Sequence, residues 1–148
     1  VKSKDNLKAI NCPPKLNSSA IDEFLIIFLV AAKSKGISKF KDLGEMNKKE
    51  SKRLDLGVKF LRSIGIKVSR FKDNVNIHGN PNLILSKNFE MKNFLKDHRI
   101  FFLSCITALT LGGKWKITDK DSINTSFPNF IKILKKIGAQ IHWKKEKI

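Results

Sequence analysis

Apolar positions in the first half of the chain fall into runs with helical or strand spacing. Residues 22–33 begin with two acids and continue through an unbroken apolar stretch, which predicts a buried helix. Residues 49–64 carry apolar side chains at helical spacing ahead of Gly65, which predicts a second helix. Alternating polar and apolar positions predict strands at 37–43, 66–69 and 75–78, the last two joined by a turn at 72–74.

The second half of the chain repeats this order of elements. Asp97 precedes an apolar segment that continues to Leu111 and stops at two glycines, which predicts another buried helix. Residues 114–118 alternate and predict a strand. A helix is then predicted from the Thr-Ser-Phe-Pro segment at 125–128 to residue 137, followed by a last strand at 139–143.

The similarity between the two halves extends to individual residues. Segments 60–65 and 133–138 share their pattern, and Asp22 and Asp97 each open the first helix of a half. We therefore predict an internal duplication of a helix–strand–helix–strand unit. Two buried helices need sheet surface around them, so the expected fold class is α/β with helices inside and sheets outside. The predicted parts are an end strand and loop from an upstream unit at 1–20, a first repeat unit at 21–96, and a second unit with a charged tail at 97–148.

The composition excludes several classes of protein. With 148 residues, 41% of them hydrophobic, the chain is long enough for one domain with a core. Its longest apolar run is far shorter than the roughly 20 residues of a membrane span. Cys12 and Cys105 make no disulfide framework and, with three scattered histidines, no zinc site. No segment resembles a signal peptide, so we expect a reduced, cytoplasmic, soluble protein. Because the chain begins at Val1 and its first methionine is Met46, we expect either a processed chain or, in preference, the tail of a longer reading frame.

The charge is strongly basic but does not by itself identify a partner. Lys and Arg number 30 against 13 Asp and Glu, for a formal net charge of +17. The lysines are spread along the chain rather than clustered among aromatic residues, which favours solvated lysine faces over a nucleic-acid surface. A field that attracts small anionic substrates is compatible with the same distribution. A basic nucleic-acid-binding module stays open as an alternative, and steep salt dependence of binding would reveal it.

Three short polar groups stand out because each lies where a predicted helix begins. Asp22 precedes the first apolar helix, where it is either an N-cap or a half-buried base. Lys49 and Arg53 are one helical turn apart, so their side chains can converge on one anion. Glu50 lies between them as a candidate general acid or base, although an ordinary charged helix start explains the group as well.

The third group, Asp97-His98-Arg99, leads into the other apolar helix. Backbone N–H groups, the helix dipole and Arg99 make a competent anion seat there, whereas His98 alone is more typical of a structural residue. Together the three groups suit small phosphorylated or carboxylated substrates. The sequence contains no Gly-rich phosphate loop and no metal-ligand cluster.

Four segments in order resemble the C-terminal part of the EPSP synthase family, the 3-phosphoshikimate 1-carboxyvinyltransferases. They are Asp22-Glu23-Phe24, Lys49-Glu50-Ser51-Lys52-Arg53, Asp97-His98-Arg99 and Thr125-Ser126-Phe127-Pro128, within a resemblance over about residues 16–143. It implies repeated βαβαββ units with buried helices and outer sheets, arranged in two domains, with this chain forming part of one. The implied reaction transfers the enolpyruvyl group of phosphoenolpyruvate to the 5-hydroxyl of shikimate 3-phosphate and releases phosphate, without a metal or organic cofactor.

The resemblance also assigns roles to residues of the first two groups. Asp22 matches the aspartate that contacts the shikimate ring hydroxyl and accepts its proton. Lys49 matches the lysine that binds shikimate 3-phosphate. Glu50 matches the glutamate implicated in adding and removing the proton at the enol methylene.

The remaining roles concern phosphoenolpyruvate and the rest of the enzyme. Arg53 and Arg99 match the arginines that hold phosphoenolpyruvate, and His98 lies beside that pocket. The implied partners are the two small anions and the N-terminal domain of the same enzyme, in a full-length monomer that binds neither nucleic acid nor membrane. The isolated chain is therefore predicted to be inactive. Two rivals stay open: a non-catalytic remnant of the family and the related enolpyruvyltransferase that acts on UDP-N-acetylglucosamine.

Overall fold

The computed structural model describes residues 7–144, which form a mixed α/β fold. Residues 145–148, which belong to the predicted charged tail at 144–148, and the first six residues of the predicted end segment lie outside this range. The α-helices are α1 (Asn17–Ala20), α2 (Phe24–Ala32), α3 (Arg53–Ser63), α4 (His98–Leu111) and α5 (Phe130–Lys136), and 3-10 helices cover Pro14–Leu16, Gly44–Lys48 and Lys120–Ile123. The strands are β1 (Gly36–Phe40), β2 (Lys67–Phe71), β3 (Asn74–Gly79), β4 (Leu85–Met91) and β5 (Gly112–Ile117).

Helices α2 and α4 form the centre of the fold because their sequences are mostly apolar. Phe24 and Phe28 of α2 are buried, as are Ile100 and Leu103 of α4. Helix α2 contacts α3, α4 and β3, so its apolar surface meets protein on several sides. The two buried helices predicted from the apolar runs are therefore confirmed.

The first sheet covers one side of this centre. Strand β3 lies in the middle and pairs antiparallel with both β1 and β2. The side chains of Phe40, Val75 and Ile77 are buried, so one face of the sheet packs on the core. The predicted turn between β2 and β3 is present, with Lys72 in the left-handed region at φ 51°.

Each half of the chain contains a crossover between parallel segments. Extended residues 7–12 run parallel to β1, where Ala9 N–H donates to the Lys35 carbonyl at 3.0 Å and Cys12 N–H to the Lys39 carbonyl at 2.9 Å. The predicted end strand is thus present as isolated bridges. In the second half, β4 and β5 pair directly in parallel, and helix α4 connects them. Each of the two buried helices, α2 and α4, is thus the helix of one parallel crossover.

The second half also differs from its prediction in three elements. Strand β4 was not predicted, because most of its residues are exposed or half-exposed and leave little alternation to detect. Helix α5 begins at Phe130 rather than at 125–128, because the chain first closes a turn in which Phe127 N–H donates to the Ile123 carbonyl, and Pro128 has no N–H. Residues 139–143 form no strand, so that prediction is wrong: within residues 7–144, no strand equivalent to β3 pairs with them.

Candidate active site

Three helix starts meet at one end of the buried helices. Helices α2, α3 and α4 contact one another, and charged side chains at or just before their first turns form one network of ion pairs. We call this network the Arg53 cluster. Its members are Asp22, Lys49, Glu50, Arg53, Asp97 and Arg99.

Arg53 lies at the centre of the cluster, as the first residue of α3. Its side chain is only 2% exposed, and each of its nitrogens donates to a different carboxylate. Nε donates to Asp97 at 2.8 Å, Nη1 donates to Asp22 at 2.8 Å, and Nη2 donates to Glu50. Burial on its own would lower the pKa of Arg53, but the hydrogen bond to Asp97 and the attraction of the three carboxylates raise it. Arg53 is therefore a permanent buried cation.

Asp97 is the buried carboxylate of the cluster and the N-cap of α4. It is 1% exposed, and its Oδ1 accepts the Arg99 backbone N–H at 2.9 Å. Its Oδ2 accepts from Ser51 Oγ at 2.7 Å and from Arg53 Nε at 2.8 Å. Burial favours the neutral acid, but the hydrogen bonds from Arg53 and Ser51 outweigh it and lower the pKa of Asp97. The carboxylate is thus ionised and fully hydrogen-bonded.

Asp22 is the carboxylate that the cations of the other two groups approach. It precedes α2, is 46% exposed, and lies 4.0 Å from both Lys49 Nζ and Arg99 Nη2 in addition to its bond with Arg53. Arg99 also pairs with Glu23, whose Oε1 accepts from Nη1 at 2.8 Å. Asp22 therefore joins the start of α2 to the starts of α3 and α4.

The path of the chain before α3 departs from its predicted form. A single helix over 49–64 was predicted, with Lys49 and Arg53 on one face; instead Lys49 is extended at ψ −168° and α3 begins at Arg53. The break lets Ser51 turn inward, where it is 3% exposed and reaches Asp97. Lys49 and Arg53 still converge, because both approach Asp22.

The fourth segment of the resemblance contacts the site through aromatic packing. The His98 ring, at the start of α4, meets Phe102 edge-on with centroids 5.8 Å apart. Phe102 in turn contacts Phe127 of the 125–128 segment at 6.2 Å. His98 therefore lies between Asp97 and Arg99 of the cluster in sequence, while its ring packs against Phe102 of α4.

Space for a ligand exists beside the cluster. A surface cavity of about 590 Å³ is lined by Lys49 and by Ile21, the residue before Asp22. Within residues 7–144, no group of three or more His, Cys, Asp or Glu side chains is arranged to hold a metal ion. Among the same residues, no helix is long and apolar enough to cross a membrane.

Three residues that belong to the Arg53 cluster or contact its members were not predicted as site members. Asp97 and Ser51 stood inside the motifs that were identified, and Glu23 follows Asp22 directly. Asp97 could have been predicted from its position, because it is an acid at the N-cap of an apolar helix and lies close in sequence to Arg99, in a chain with few arginines. Burial of Asp97 against Arg53 depends on how α3 and α4 pack, which spacing along the chain does not give.

Comparison with known proteins assigns this chain to one family. The family model for EPSP synthase (3-phosphoshikimate 1-carboxyvinyltransferase) matches residues 5–134. The 3-phosphoshikimate 1-carboxyvinyltransferase of Zymomonas mobilis is 34% identical over 137 residues, which cover 91% of this chain and 30% of that protein. The Ruthia magnifica enzyme of the same name is 35% identical over 138 residues, covering 93% of this chain and 31% of the relative.

Solved structures give the same result. EPSP synthase from Acinetobacter baumannii superposes with a TM-score of 0.79 at 25% identity, covering 95% of this chain and 32% of that one. The enolpyruvyl transferase NikO from Streptomyces tendae shares the fold at a TM-score of 0.54 and 14% identity. The chain thus spans about 30% of the length of the relatives it matches. On the family match, the shared fold and these relatives, the chain belongs to the EPSP synthase family.

Proposed function

We propose that the protein transfers the enolpyruvyl group of phosphoenolpyruvate to the 5-hydroxyl of shikimate 3-phosphate, releasing phosphate. One observation carries this proposal. Two half-exposed carboxylates, Asp22 and Glu50, share the buried cation Arg53. Two further cations, Lys49 and Arg99, lie at 4.0 Å from Asp22. Acid–base groups and anion-binding groups are thus combined at one point of the fold.

The accessible cations are suited to bind the two anionic substrates. The side chains of Lys49 and Arg99 are 35% and 28% exposed, so both reach solvent. We assign Lys49 to the phosphate of shikimate 3-phosphate and Arg99 to phosphoenolpyruvate, because a guanidinium fits the paired oxygens of a carboxylate or phosphate. His98, one residue before Arg99, borders this pocket in the same proposal.

Arg53 is assigned to phosphoenolpyruvate as well, but its geometry imposes a condition. Its Nη1 and Nη2 already donate to Asp22 and Glu50. A substrate anion therefore reaches the guanidinium only when one of these carboxylates turns aside. Both are about half-exposed, at 46% and 57%, so both can rotate toward solvent. The same rotation frees Asp22 and Glu50 for proton transfer.

The proposed chemistry is a balanced addition followed by elimination. Asp22 accepts the proton of the 5-hydroxyl as the hydroxyl oxygen attacks C2 of phosphoenolpyruvate, while Glu50, which enters this step in its acid form, donates its proton to the methylene carbon. In the tetrahedral intermediate that results, the former methylene is a methyl group. Glu50 then takes a proton from this methyl group, the C=C bond re-forms, and phosphate leaves with the proton that Asp22 held. Arg53 and Arg99 stabilise the negative charge throughout.

The rest of the enzyme is part of the proposal. We infer a second domain that completes the substrate-binding surface, which the coverage of only 30% of the Zymomonas mobilis relative supports. We also infer a full-length monomer that acts in the cytoplasm on these small anions, with no role for nucleic acid or membrane.

The test is phosphate release by the full-length protein, with each substrate omitted in turn. We expect release only when phosphoenolpyruvate and shikimate 3-phosphate are both present. Glu50→Gln, which cannot exchange the proton, is expected to lower kcat about 100-fold or more. Glu90→Gln is the matched control, because Glu90 is an exposed glutamate on β4 that pairs only with Lys92 and Lys116 among the described residues.

Either of two results would contradict the proposal. Glu50→Gln with the activity of the parent would remove Glu50 from the reaction. A folded full-length protein that releases no phosphate would favour a non-catalytic remnant of the family.

A further inference from the structure

Asp97 differs from every other carboxylate of the site in its burial. Asp22 and Glu50 are half-exposed, whereas the Asp97 side chain is completely buried. Its two oxygens accept three hydrogen bonds, from Arg99 N, Ser51 Oγ and Arg53 Nε. A substrate therefore cannot contact Asp97 in this arrangement, and any role it has in the reaction must act through its neighbours.

The bond from Arg53 Nε fixes the direction of the guanidinium. A guanidinium is planar, so holding Nε also sets the plane in which Nη1 and Nη2 point. These two nitrogens face Asp22 and Glu50, on the open side of the cluster. Ser51 donates to the same Asp97 oxygen that accepts from Arg53, and thereby supports that oxygen in place.

Stability alone does not explain a buried pair of this kind. Replacing a buried ion pair with apolar side chains of similar size is often neutral or stabilising, because removing charges from water is costly. Donors held in place before substrate binds, however, stabilise developing charge without reorganisation. The Asp97–Arg53 pair has the geometry of such a support.

We propose that Asp97 is a positioning residue that aims the Arg53 guanidinium at phosphoenolpyruvate, with Ser51 as its support. This role rests on the proposed function, because it needs phosphoenolpyruvate to be the anion that Arg53 receives. Asp97 has a second contact that is purely structural, the cap on Arg99 N at the start of α4. The test must separate these two contacts.

Asp97→Asn separates them because asparagine caps a helix about as well as aspartate. In aspartate, one oxygen accepts the hydrogen bond from Arg99 N and the other accepts those from Ser51 and Arg53. An amide has only one oxygen, because its second group is NH2, so asparagine cannot accept hydrogen bonds at both positions. With its oxygen on the cap, the NH2 group faces the Arg53 Nε–H, and donor opposes donor. The variant therefore keeps the N-cap hydrogen bond at the start of α4 and loses the hydrogen bond that orients Arg53.

The experiment measures steady-state kinetics of the full-length protein for both substrates, well below the melting temperature of each variant. For Asp97→Asn we expect the KM for phosphoenolpyruvate to rise about tenfold or more and kcat to fall, because small misplacements of a binding group are costly. The KM for shikimate 3-phosphate should stay within about twofold, because Lys49 is not held by Asp97. Asp55→Asn is the matched control: like Asp97, Asp55 pairs with an arginine (Arg70), but it lies on α3 and is 44% exposed. It should leave both KM values unchanged.

A second variant covers failure of the first to fold. Ser51→Ala keeps both charges and removes one hydrogen bond to Asp97, so we expect a smaller rise, about two- to fivefold, in the KM for phosphoenolpyruvate alone. If Asp97→Asn does not fold, Ser51→Ala decides the proposal by itself. An equal rise in both KM values, or no change in either, overturns the role of Asp97 while phosphate release by the parent still supports the proposed function. A parent without turnover overturns both.

Discussion

Asp97 is a carboxylate whose ionised form the folded state favours, although it is buried. Burial raises its pKa, but the hydrogen bonds from Arg53 and Ser51 and the charge of Arg53 lower it below the ordinary 3.8. When the pKa of a carboxyl group is lower in the folded chain than in the unfolded chain, the group stabilises the folded state at every pH above its unfolded pKa. This contribution disappears as the pH falls from 3.8 through the lower folded pKa.

The pH dependence of stability should therefore change when Asp97 is replaced. We expect the melting temperature of full-length Asp97→Asn to lie below that of the parent by a constant amount above about pH 5. The gap should narrow as the pH falls through and below about 4, because the parent then loses its ion pair. Thermal unfolding across a pH series measures this, with Asp55→Asn as the comparison that keeps the Asp97 pair. Burial raises the pKa of Asp55 and hydrogen bonds from Arg70 and Asn47 lower it overall, but the side chain is 44% exposed, so the gap for Asp55→Asn should be smaller at every pH. A gap that stays the same down to the lowest pH would contradict the prediction.

At the residue scale, spacing along the chain explains one contact of the Arg53 cluster but not the arrangement of the whole cluster. Glu50 and Arg53 are neighbours along one segment, so their pairing follows from spacing. The bond between Arg53 and Asp97 joins residues 44 positions apart and depends on how α3 packs against α4. The resemblance assigns Arg53 to phosphoenolpyruvate, but spacing does not show that the Arg53 side chain is 2% exposed and surrounded by carboxylates.

At the element scale, the strength of the apolar pattern decided what could be predicted. Helices α2 and α4 were predicted because each is a long apolar run that ends close to glycine. Strand β4 has a mostly exposed sequence, and its partner β5 supplies the pairing that makes it a strand. Residues 139–143 show the reverse case: they alternate well, but no strand pairs with them among the described residues. Strand formation depends on a partner, which alternation does not report.

The end of β3 lies against the end of α2 so closely that only glycine fits there. A Cβ atom on Gly79 would lie 2.6 Å from the Ala31 carbonyl oxygen and closer still to that of Ser34. These are backbone atoms and cannot move aside without shifting the helix. The next residue, Asn80, fixes the contact further by donating its N–H to the Ala32 carbonyl at 2.7 Å.

Gly79→Ala should therefore destabilise the fold by about 3 kcal/mol, the upper part of the range for overpacking. The thermal unfolding midpoint of the full-length protein measures the loss. Asn76→Ala serves as the control, because Asn76 lies on the same strand, is half-buried and opposes Lys39 and Ser69; it should change stability by less than about 1 kcal/mol. Equal shifts for the two variants would show that the contact between β3 and α2 is not the cause.

At the scale of the whole molecule, the charge of the site is opposite to what the composition suggests. The chain carries a formal net charge of +17, yet the cations of the Arg53 cluster are already paired with acids. Counting Glu23, which pairs with Arg99, four carboxylates meet three cations. The carboxylates are Asp22, Glu23, Glu50 and Asp97, and the cations are Lys49, Arg53 and Arg99. Binding the two anions of the proposed reaction would need more positive charge than these three cations supply.

The isolated 148-residue chain should therefore release no phosphate from the two substrates at concentrations where the full-length protein turns over. Its spread lysines attract anions only through a long-range field, so any retention of shikimate 3-phosphate should vanish near 0.5 M salt, where the Debye length is roughly 4 Å. Circular dichroism identifies preparations in which the chain is folded, and only these are assayed. Turnover by the folded chain that requires both substrates and is lost in Glu50→Gln would contradict the prediction. That result would mean that Lys49, Arg53 and Arg99 suffice as the cations of the site once Asp22 and Glu50 turn aside.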